Sequence, residues 1–98
     1  YRQIREGRVE VITPIKIPRT GIIAGSRVVE GKVSRGGWVK LFRGREMIHE
    51  GRINSLKHFK EDAREILAGQ ECGIGLESWE DFQPGDAMET YRLEREEI

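Results

Sequence analysis

Apolar positions along the chain fall in short runs and alternations that are typical of β-strands. Most of the runs are rich in Val, Ile and aromatic residues and are bounded by Gly or Pro. Pro14 and Pro18 are expected at strand edges or bends, because proline cannot donate a ladder hydrogen bond. The pattern predicts strands at residues 9–12, 15–17, 22–29, 32–34, 38–43, 46–50, 51–56, 71–77 and 87–93.

Glycine and proline mark the turns between these segments. Gly44 joins two segments at hairpin spacing, and Pro84 and Gly85 stand at the usual turn positions before the last segment. Turn signals recur about every 8–12 residues, as in antiparallel barrels and sandwiches. A barrel would also remove the exposed edge strands of a small all-β domain.

Residues 56–67 allow two interpretations. Leu56, Phe59, Ala63 and Ile66 follow helical spacing, and the segment contains good helix formers. The alternative is a strand that ends near Phe59, a charged loop at residues 60–62 and a further strand at residues 64–67. Periodicity alone favours the helix.

The composition fits one domain that spans residues 1–98. Apolar residues make up 37% and charged residues 35% of the chain, which is enough for one modest core and too apolar for a disordered chain. Lys and Arg number 17, as do Asp and Glu, so the formal net charge is zero. This balance argues against a general basic coat for nucleic acid, but it permits a local basic patch. Because the chain begins at Tyr1, we expect a fragment of a larger protein.

The single cysteine, Cys72, cannot form an internal disulfide, which favours a reducing compartment such as the bacterial cytoplasm or an organelle. No apolar run is long enough to span a bilayer and no signal-peptide pattern is present, so we expect no membrane association. The cysteine and histidines lack zinc-site spacing, and no glycine-rich loop has the Lys-Ser/Thr ending of a phosphate-binding loop.

Two lysines, a histidine and an aromatic residue stand together at Lys57, His58, Phe59 and Lys60. One interpretation is a strand end whose cations meet phosphates while the ring packs on a base or an acyl group. The other is a solvated charged loop with Phe59 in the core. Composition alone favours the second interpretation.

Glu71, Cys72 and Gly73 form a second candidate segment. A free cysteine most often behaves as a small buried hydrophobe, whereas a catalytic thiol needs an imidazole close by. His49 and His58 are the two histidines of the chain, so a thiol-dependent enzyme is one hypothesis. A non-catalytic hypothesis is a binding site in which Gly73 lets a ligand approach the backbone and Glu71 accepts a hydrogen bond.

Three segments, in this order along the chain, resemble a known family: residues 22–26 (Ile-Ile-Ala-Gly-Ser), residues 55–62 and residues 68–73 (Ala-Gly-Gln-Glu-Cys-Gly). They resemble the C-terminal domain of bacterial-type translation initiation factor two. The order of the strands is also similar to that of the second domain of elongation factor Tu. The resemblance implies a closed antiparallel β-barrel, with strand, loop and strand at residues 56–67, in the C-terminal part of a larger translational GTPase.

The resemblance implies that the chain recognises the formyl-methionyl 3′ end of initiator tRNA and has no enzyme activity of its own. GTP and magnesium would bind another domain of the parent factor, so no cofactor is expected here. The expected partners are initiator tRNA and the ribosome, and the domain is expected to be a monomer. The alternative is a ribosome-docking β-barrel of a translational GTPase without aminoacyl specificity.

In this interpretation Lys57 and Lys60 position the terminal phosphates, and Glu71 fixes the orientation of the formyl-methionyl group. Two positions depart from the family pattern, because members usually carry cysteine at the position of Ser26 and commonly arginine at that of His58. Histidine lacks the bidentate fork of arginine, so we place more weight on the lysines. The implied ligand-binding residues are Ser26, Lys57, His58, Phe59, Lys60, Glu71, Cys72 and Gly73, of which Ser26, Phe59, Cys72 and Gly73 shape the slot.

Overall fold

The computed structural model describes residues 1–18, 21–59 and 61–95, and all regular elements in these ranges are β-strands. None of the described segments forms a helix of the length and hydrophobicity needed to cross a bilayer. The strands are β1 (Arg2–Ile17), β2 (Gly21–Ser34), β3 (Trp38–Arg43), β4 (Glu46–His58), β5 (Glu61–Asp62), β6 (Glu65–Leu67), β7 (Glu71–Leu76) and β8 (Ala87–Glu94).

Six of the strands form a closed ring of antiparallel pairs. Around the ring the order is β1, β8, β3, β4, β7 and β2, and β2 pairs with β1 again. The two short strands lie outside the ring, where β5 pairs with β4 and β6 pairs with β2. The predicted all-β fold with a closed antiparallel, barrel-like architecture is confirmed.

The core lies inside this ring and follows the period of two that strands impose. In β1, Val9 and Val11 are buried while Arg8 and Glu10 between and beside them are exposed. Each fully buried aliphatic side chain contributes about 1.5–3 kcal/mol through the hydrophobic effect. Other core side chains with almost no exposed surface are Val28, Val33, Val39, Leu41, Leu56, Ile74 and Met88.

The two long strands β1 and β2 form a hairpin that extends beyond the ring. The pairing of β1 with β8 reaches only to Glu10, and a β-bulge follows between Val11 and Thr13 in its pairing with β2. Residues 13–17 therefore pair with β2 alone and have one free edge. Pro14 lies on this edge, where its missing N–H costs no ladder bond on the open side. The segments predicted at residues 9–12 and 15–17 belong to one strand, β1, which continues through Pro14.

Residues 56–67 form strand, loop and strand, as the resemblance implied, and the helical interpretation is wrong. The pairing partners explain this outcome, because Leu56 pairs with Ile74 and Ile66 pairs with Val33. The expected loop at residues 60–62 is partly incorrect. Glu61 and Asp62 form β5, which pairs with the end of β4, while Lys60 lies outside the described residues.

An ion pair fixes the predicted turn before β8. Nε and Nη2 of Arg43 each donate to the Asp86 carboxylate at 3.0 Å, and the Gln83 N–H also donates to it at 3.0 Å. Asp86 is 2% exposed. Burial alone would raise the pKa of its carboxyl, but the hydrogen bonds from Arg43 and Gln83 outweigh burial and hold the pKa below its usual value.

Candidate ligand-binding cleft

A cleft of about 280 Å³ lies where the extended β1–β2 hairpin meets the ends of β4 and β7. We call it the Gly73 cleft. It brings together segments that are far apart in the sequence, because β7 pairs with β2 on one side and with β4 on the other. Its lining residues are Ile12, Thr13, Ile15, Ile17, Ile23, Gly25, Ser26, Lys57, Phe59, Glu71, Cys72 and Gly73.

Two paired glycines leave room for the apolar walls of the cleft. Gly25 of β2 lies opposite Gly73 of β7. A Cβ atom added at Gly25 would lie 2.7 Å from Cδ1 of Ile15, and one added at Gly73 would lie 2.6 Å from Cδ1 of Ile23. Both distances are too short for real contacts, so the isoleucines can occupy these positions only because the glycines have no side chain.

Lys57 supplies the cation of the cleft among the described residues. Its position in β4 is opposite Gly73, and its Nζ lies 4.0 Å from Oδ1 of the exposed Asp62. Lys57 is half-buried and Asp62 is exposed, and an ion pair at this distance with an exposed partner contributes little to stability. The Lys57 ammonium is therefore available to a phosphate.

Phe59 stands at the rim of the cleft and is 83% exposed. The interpretation that places Phe59 in the core is wrong. Its backbone has φ 59°, a left-handed conformation that is costly for an aromatic residue. Such strain persists where the surroundings enforce it, commonly at functional sites. The ring packs edge-on against His58, with the centroids 4.4 Å apart.

The imidazole of His58 contacts the backbone at the start of β7. It does not belong to the lining of the Gly73 cleft, and its Nδ1–H donates to the carbonyl oxygen of Glu71 at 3.1 Å. This bond joins the end of β4 to the start of β7 and supports the neighbouring Phe59. Lys60, the other cation of the segment, lies outside the described residues.

Ser26 and Cys72 are paired across β2 and β7 and are almost fully buried. The Ser26 hydroxyl donates to the carbonyl oxygen of Ala24 at 2.9 Å, so this hydroxyl is already satisfied. Cys72 belongs to the hydrophobic core, and burial raises the pKa of its thiol to about 12. A thiol that stays protonated at neutral pH is a poor nucleophile, which counts against the thiol-enzyme hypothesis.

Glu71 is exposed at the first position of β7 and belongs to the lining of the cleft. The cleft thus combines an apolar wall, one carboxylate and one cation. Within the described residues, no group of three or more His, Cys, Asp or Glu side chains is arranged to hold a metal ion. The arrangement can enclose a small apolar group and hydrogen-bond its polar atoms, with Lys57 available for an adjoining negative charge.

Sequence analysis missed the four isoleucines among the twelve residues that line the cleft. Ile12 is 47% exposed, as the alternation after the buried Val11 requires, and the alternation is interrupted only after it, at the bulge before Thr13. Ile15 and Ile17 continue an apolar series on a segment with no core to cover. The sequence feature that could have indicated an exposed apolar wall was this series of isoleucines beside two prolines. We interpreted the series only as a strand.

The chain is similar over nearly all of its length to bacterial proteins named "Translation initiation factor IF-2". The relative from Roseiflexus castenholzii is 48% identical over 97 residues, which are 99% of this chain and 13% of the relative. The relatives from Bartonella tribocorum and Syntrophus aciditrophicus are 46% and 45% identical, over 90% and 99% of this chain and 10% and 11% of their own lengths. No protein-family model matches the chain. The chain is therefore a homologue of one segment of bacterial translation initiation factor IF-2.

Proposed function

We propose that this chain is a non-enzymatic domain of a translation initiation factor that binds the formyl-methionyl 3′ end of initiator tRNA in the Gly73 cleft. The single observation that carries the proposal is the convergence of distant segments in one cleft. Ser26, Lys57, Phe59, Glu71 and Gly73 are brought together by the pairing of β2, β7 and β4.

The size and polarity of the cleft support an aminoacyl ligand. Its volume of about 280 Å³ is near the lower end of the range for small-molecule sites, which suits one aminoacyl group better than a whole nucleotide. Isoleucine side chains from β1 and β2 offer an apolar wall to a methionyl side chain. Its thioether chain is flexible and polarizable and adapts to such a surface.

The charges around the cleft suit a formylated ester. Esterification removes the carboxylate of methionine and formylation removes the charge of its amine, so the bound group is neutral and offers an amide. Glu71 is available to accept a hydrogen bond from that amide or from a ribose hydroxyl. Lys57, which also lines the cleft, carries the positive charge that we assign to a phosphate of the acceptor strand.

The relatives support the placement of this function in initiation. The chain spans only about 10–13% of the length of the curated relatives it matches. We place it in the C-terminal part of such a factor, and we assign GTP and magnesium binding to other domains. Initiator tRNA and the ribosome are the proposed partners, in the bacterial cytoplasm or in an organelle.

The test is an NMR titration of the isotope-labelled chain with formyl-methionyl-tRNA, with unformylated methionyl-tRNA as the matched control. We expect shifts at Ser26, at residues 57–60 and at residues 71–73, stronger with the formylated ligand. Equal shifts with the two ligands, or none, would contradict the proposal. That result would favour a ribosome-docking barrel without aminoacyl specificity.

A further inference from the structure

The β1–β2 hairpin extends beyond the ring and carries three of the four isoleucines that line the Gly73 cleft. We define the hairpin arm as residues 13–17 of β1 with residues 21–23 of β2. The pairing of β1 with β8 ends at Glu10, and the pairing of β2 with β7 begins at Ala24. Within the described sheet, the arm therefore has no ladder partner besides its own two strands, and its position depends on other contacts.

One side chain takes the place of the missing ladder partner. Oε2 of Glu80 accepts a hydrogen bond of 2.6 Å from the N–H of Ile22. Across residues 1–18, 21–59 and 61–95, this is the one hydrogen bond that joins the arm to a residue outside β1 and β2. The same oxygen occupies the space that a Cβ of Gly21 would need, so the approach of the carboxylate depends on this glycine.

The segment that carries Glu80 is fixed to the body of the barrel. The indole N–H of Trp79 donates to the Asp81 carbonyl oxygen at 3.0 Å, and the indole stacks on His49 of β4 with the ring centroids 4.8 Å apart. Nη2 of Arg43 in β3 donates to the same carbonyl oxygen at 2.9 Å. The Glu80 carboxylate is therefore a fixed point to which the arm is attached.

Ile23, the residue after Ile22, is the arm residue that packs against the barrel. It is 4% exposed, and a Cβ atom added at Gly73 or Gly75 would lie 2.6 Å from its Cδ1 or 3.2 Å from its Cγ2. This apolar contact is non-directional, whereas a hydrogen bond fixes both a distance and an angle. The bond at Ile22 therefore determines where the backbone of Ile23 lies relative to the two glycines.

We infer that Glu80 is a positioning residue of the Gly73 cleft, which holds the hairpin arm against the barrel through its hydrogen bond to Ile22. The inference rests on the function proposed above for this cleft. Glu80 does not belong to the described lining of the cleft, so it acts through the arm. A ligand that binds only the chains whose arm is in place has an apparent affinity proportional to their fraction. Preorganisation of the apolar wall by Glu80 therefore strengthens binding.

Three variants of the 98-residue chain test this role. Glu80→Ala removes the acceptor, whereas Glu80→Gln keeps an oxygen for the Ile22 N–H. Glu77→Ala is the matched control, because it removes an equal charge from an exposed residue of the same segment. The hydrogen bond from Glu77 to the Arg52 carbonyl oxygen is made by the backbone N–H, which this substitution keeps. Glu80 is exposed as well, so each variant is expected to fold.

Two measurements are made on each chain, and urea denaturation verifies that the barrel is folded. The first is the nuclear Overhauser contact between the Ile23 Cδ1 methyl and the Gly73 α-protons, together with hydrogen exchange of the Ile22 amide. The second is the affinity for formyl-methionyl-tRNA. We expect Glu80→Ala to weaken the contact, to accelerate the exchange and to reduce the affinity about fivefold, the factor for one lost net hydrogen bond. Glu80→Gln and Glu77→Ala should behave like the unaltered chain.

Unchanged affinity of the Glu80→Ala chain would overturn the inference and leave the proposed function standing. A weaker affinity with an unchanged Ile23 contact would overturn it too, because Glu80 would then act on the ligand directly. Equal losses in Glu80→Ala and Glu77→Ala, or in Glu80→Ala and Glu80→Gln, would assign the effect to charge and overturn it as well. If the unaltered chain does not bind formyl-methionyl-tRNA, the proposed function fails and the positioning role fails with it.

Discussion

Gly73 makes room for Ile23, because a Cβ atom at position 73 would lie 2.6 Å from Cδ1 of that isoleucine. The two residues therefore determine the width of the Gly73 cleft together. Gly73→Ala is expected to push the Ile23 side chain into the cleft and to weaken binding of formyl-methionyl-tRNA, with a loss of stability of about 1 kcal/mol or less, because Cδ1 is the end of a side chain that can rotate away. Titration calorimetry and chemical denaturation measure the two effects.

The control for this prediction is the double variant Gly73→Ala with Ile23→Val. Valine lacks the Cδ1 atom that a Cβ at position 73 would meet, so the double variant should regain much of the lost affinity and stability. If the second substitution only adds to the loss, then the contact between these two side chains does not control the cleft.

A substitution at Phe59 should weaken ligand binding with little effect on the stability of the fold. Because its ring is 83% exposed and its backbone is left-handed, Phe59→Asn should change the free energy of unfolding by no more than about 1 kcal/mol. Asparagine tolerates this conformation, whereas the aromatic surface at the rim is lost. We expect clearly weaker binding of formyl-methionyl-tRNA, measured beside urea denaturation of the same variant. Unchanged affinity would remove Phe59 from the binding site.

Lys57 is expected to contribute one phosphate contact. Lys57→Ala should weaken tRNA binding and reduce the slope of log K against log salt by about 0.7–0.9. Lys40→Ala is the matched control, since Lys40 lies on β3 with its Nζ 5.5 Å from the Tyr91 ring centroid, and β3 does not line the cleft. Equal effects of the two substitutions would show that only net charge matters.

The ionised Asp86 carboxylate is expected to make the stability of the fold sensitive to acid. The pKa of the Asp86 carboxyl is lower in the folded chain than in the unfolded chain, where it is about 3.9. The ionised carboxylate therefore contributes to the free energy of unfolding above about pH 3.9, and this contribution is lost as the pH falls through the pKa of the folded chain. Asp86→Asn should cost roughly 1–3 kcal/mol at pH 7, because Arg43 loses its charged partner. Denaturation of both chains between pH 7 and pH 2 should show their stabilities converging in acid. A constant difference across this range would contradict the assignment.

Cys72 is expected to be unreactive in the folded chain. Burial raises the pKa of its thiol to about 12, so almost no thiolate is present at neutral pH. Iodoacetamide should label the chain slowly until guanidinium unfolds it, and mass spectrometry reads the result directly because the sequence contains one cysteine. Rapid labelling of the folded chain at pH 7 would revive the thiol-enzyme hypothesis.

Local patterns were sufficient to predict most of the barrel, and the failures have local causes. Alternation such as that of Val9 and Val11 reports burial on one face of a strand, and this signal is strong wherever a strand borders the core. The helical spacing of Leu56, Phe59, Ala63 and Ile66 was misleading. Leu56 and Ile66 are buried by different partner strands, and Phe59 is not buried at all.

The sequence predicted the polar residues of the candidate cleft but not its apolar wall. Lysine, glutamate and glycine in unusual combinations drew attention to residues 57–60 and 71–73. Ile12 and Ile15 carry no comparable chemical signal, since apolar residues in a β-rich segment ordinarily indicate core. Their exposure depends on how far β8 extends along β1, which is a property of the pairing register and is not encoded within the segment itself.

Closure of the ring by β1 and β8 has a consequence for how the chain folds. The pairs run from Arg2 with Glu94 to Glu10 with Ala87, so this contact joins residues that are among the most distant in the described sequence. A large loop has to be closed before these pairs stabilise anything, and domains dominated by such non-local pairing fold in about milliseconds to seconds. Until then β1 and β8 expose unpaired backbone, so slow refolding and concentration-dependent association are expected from the same strand pairing that completes the native barrel.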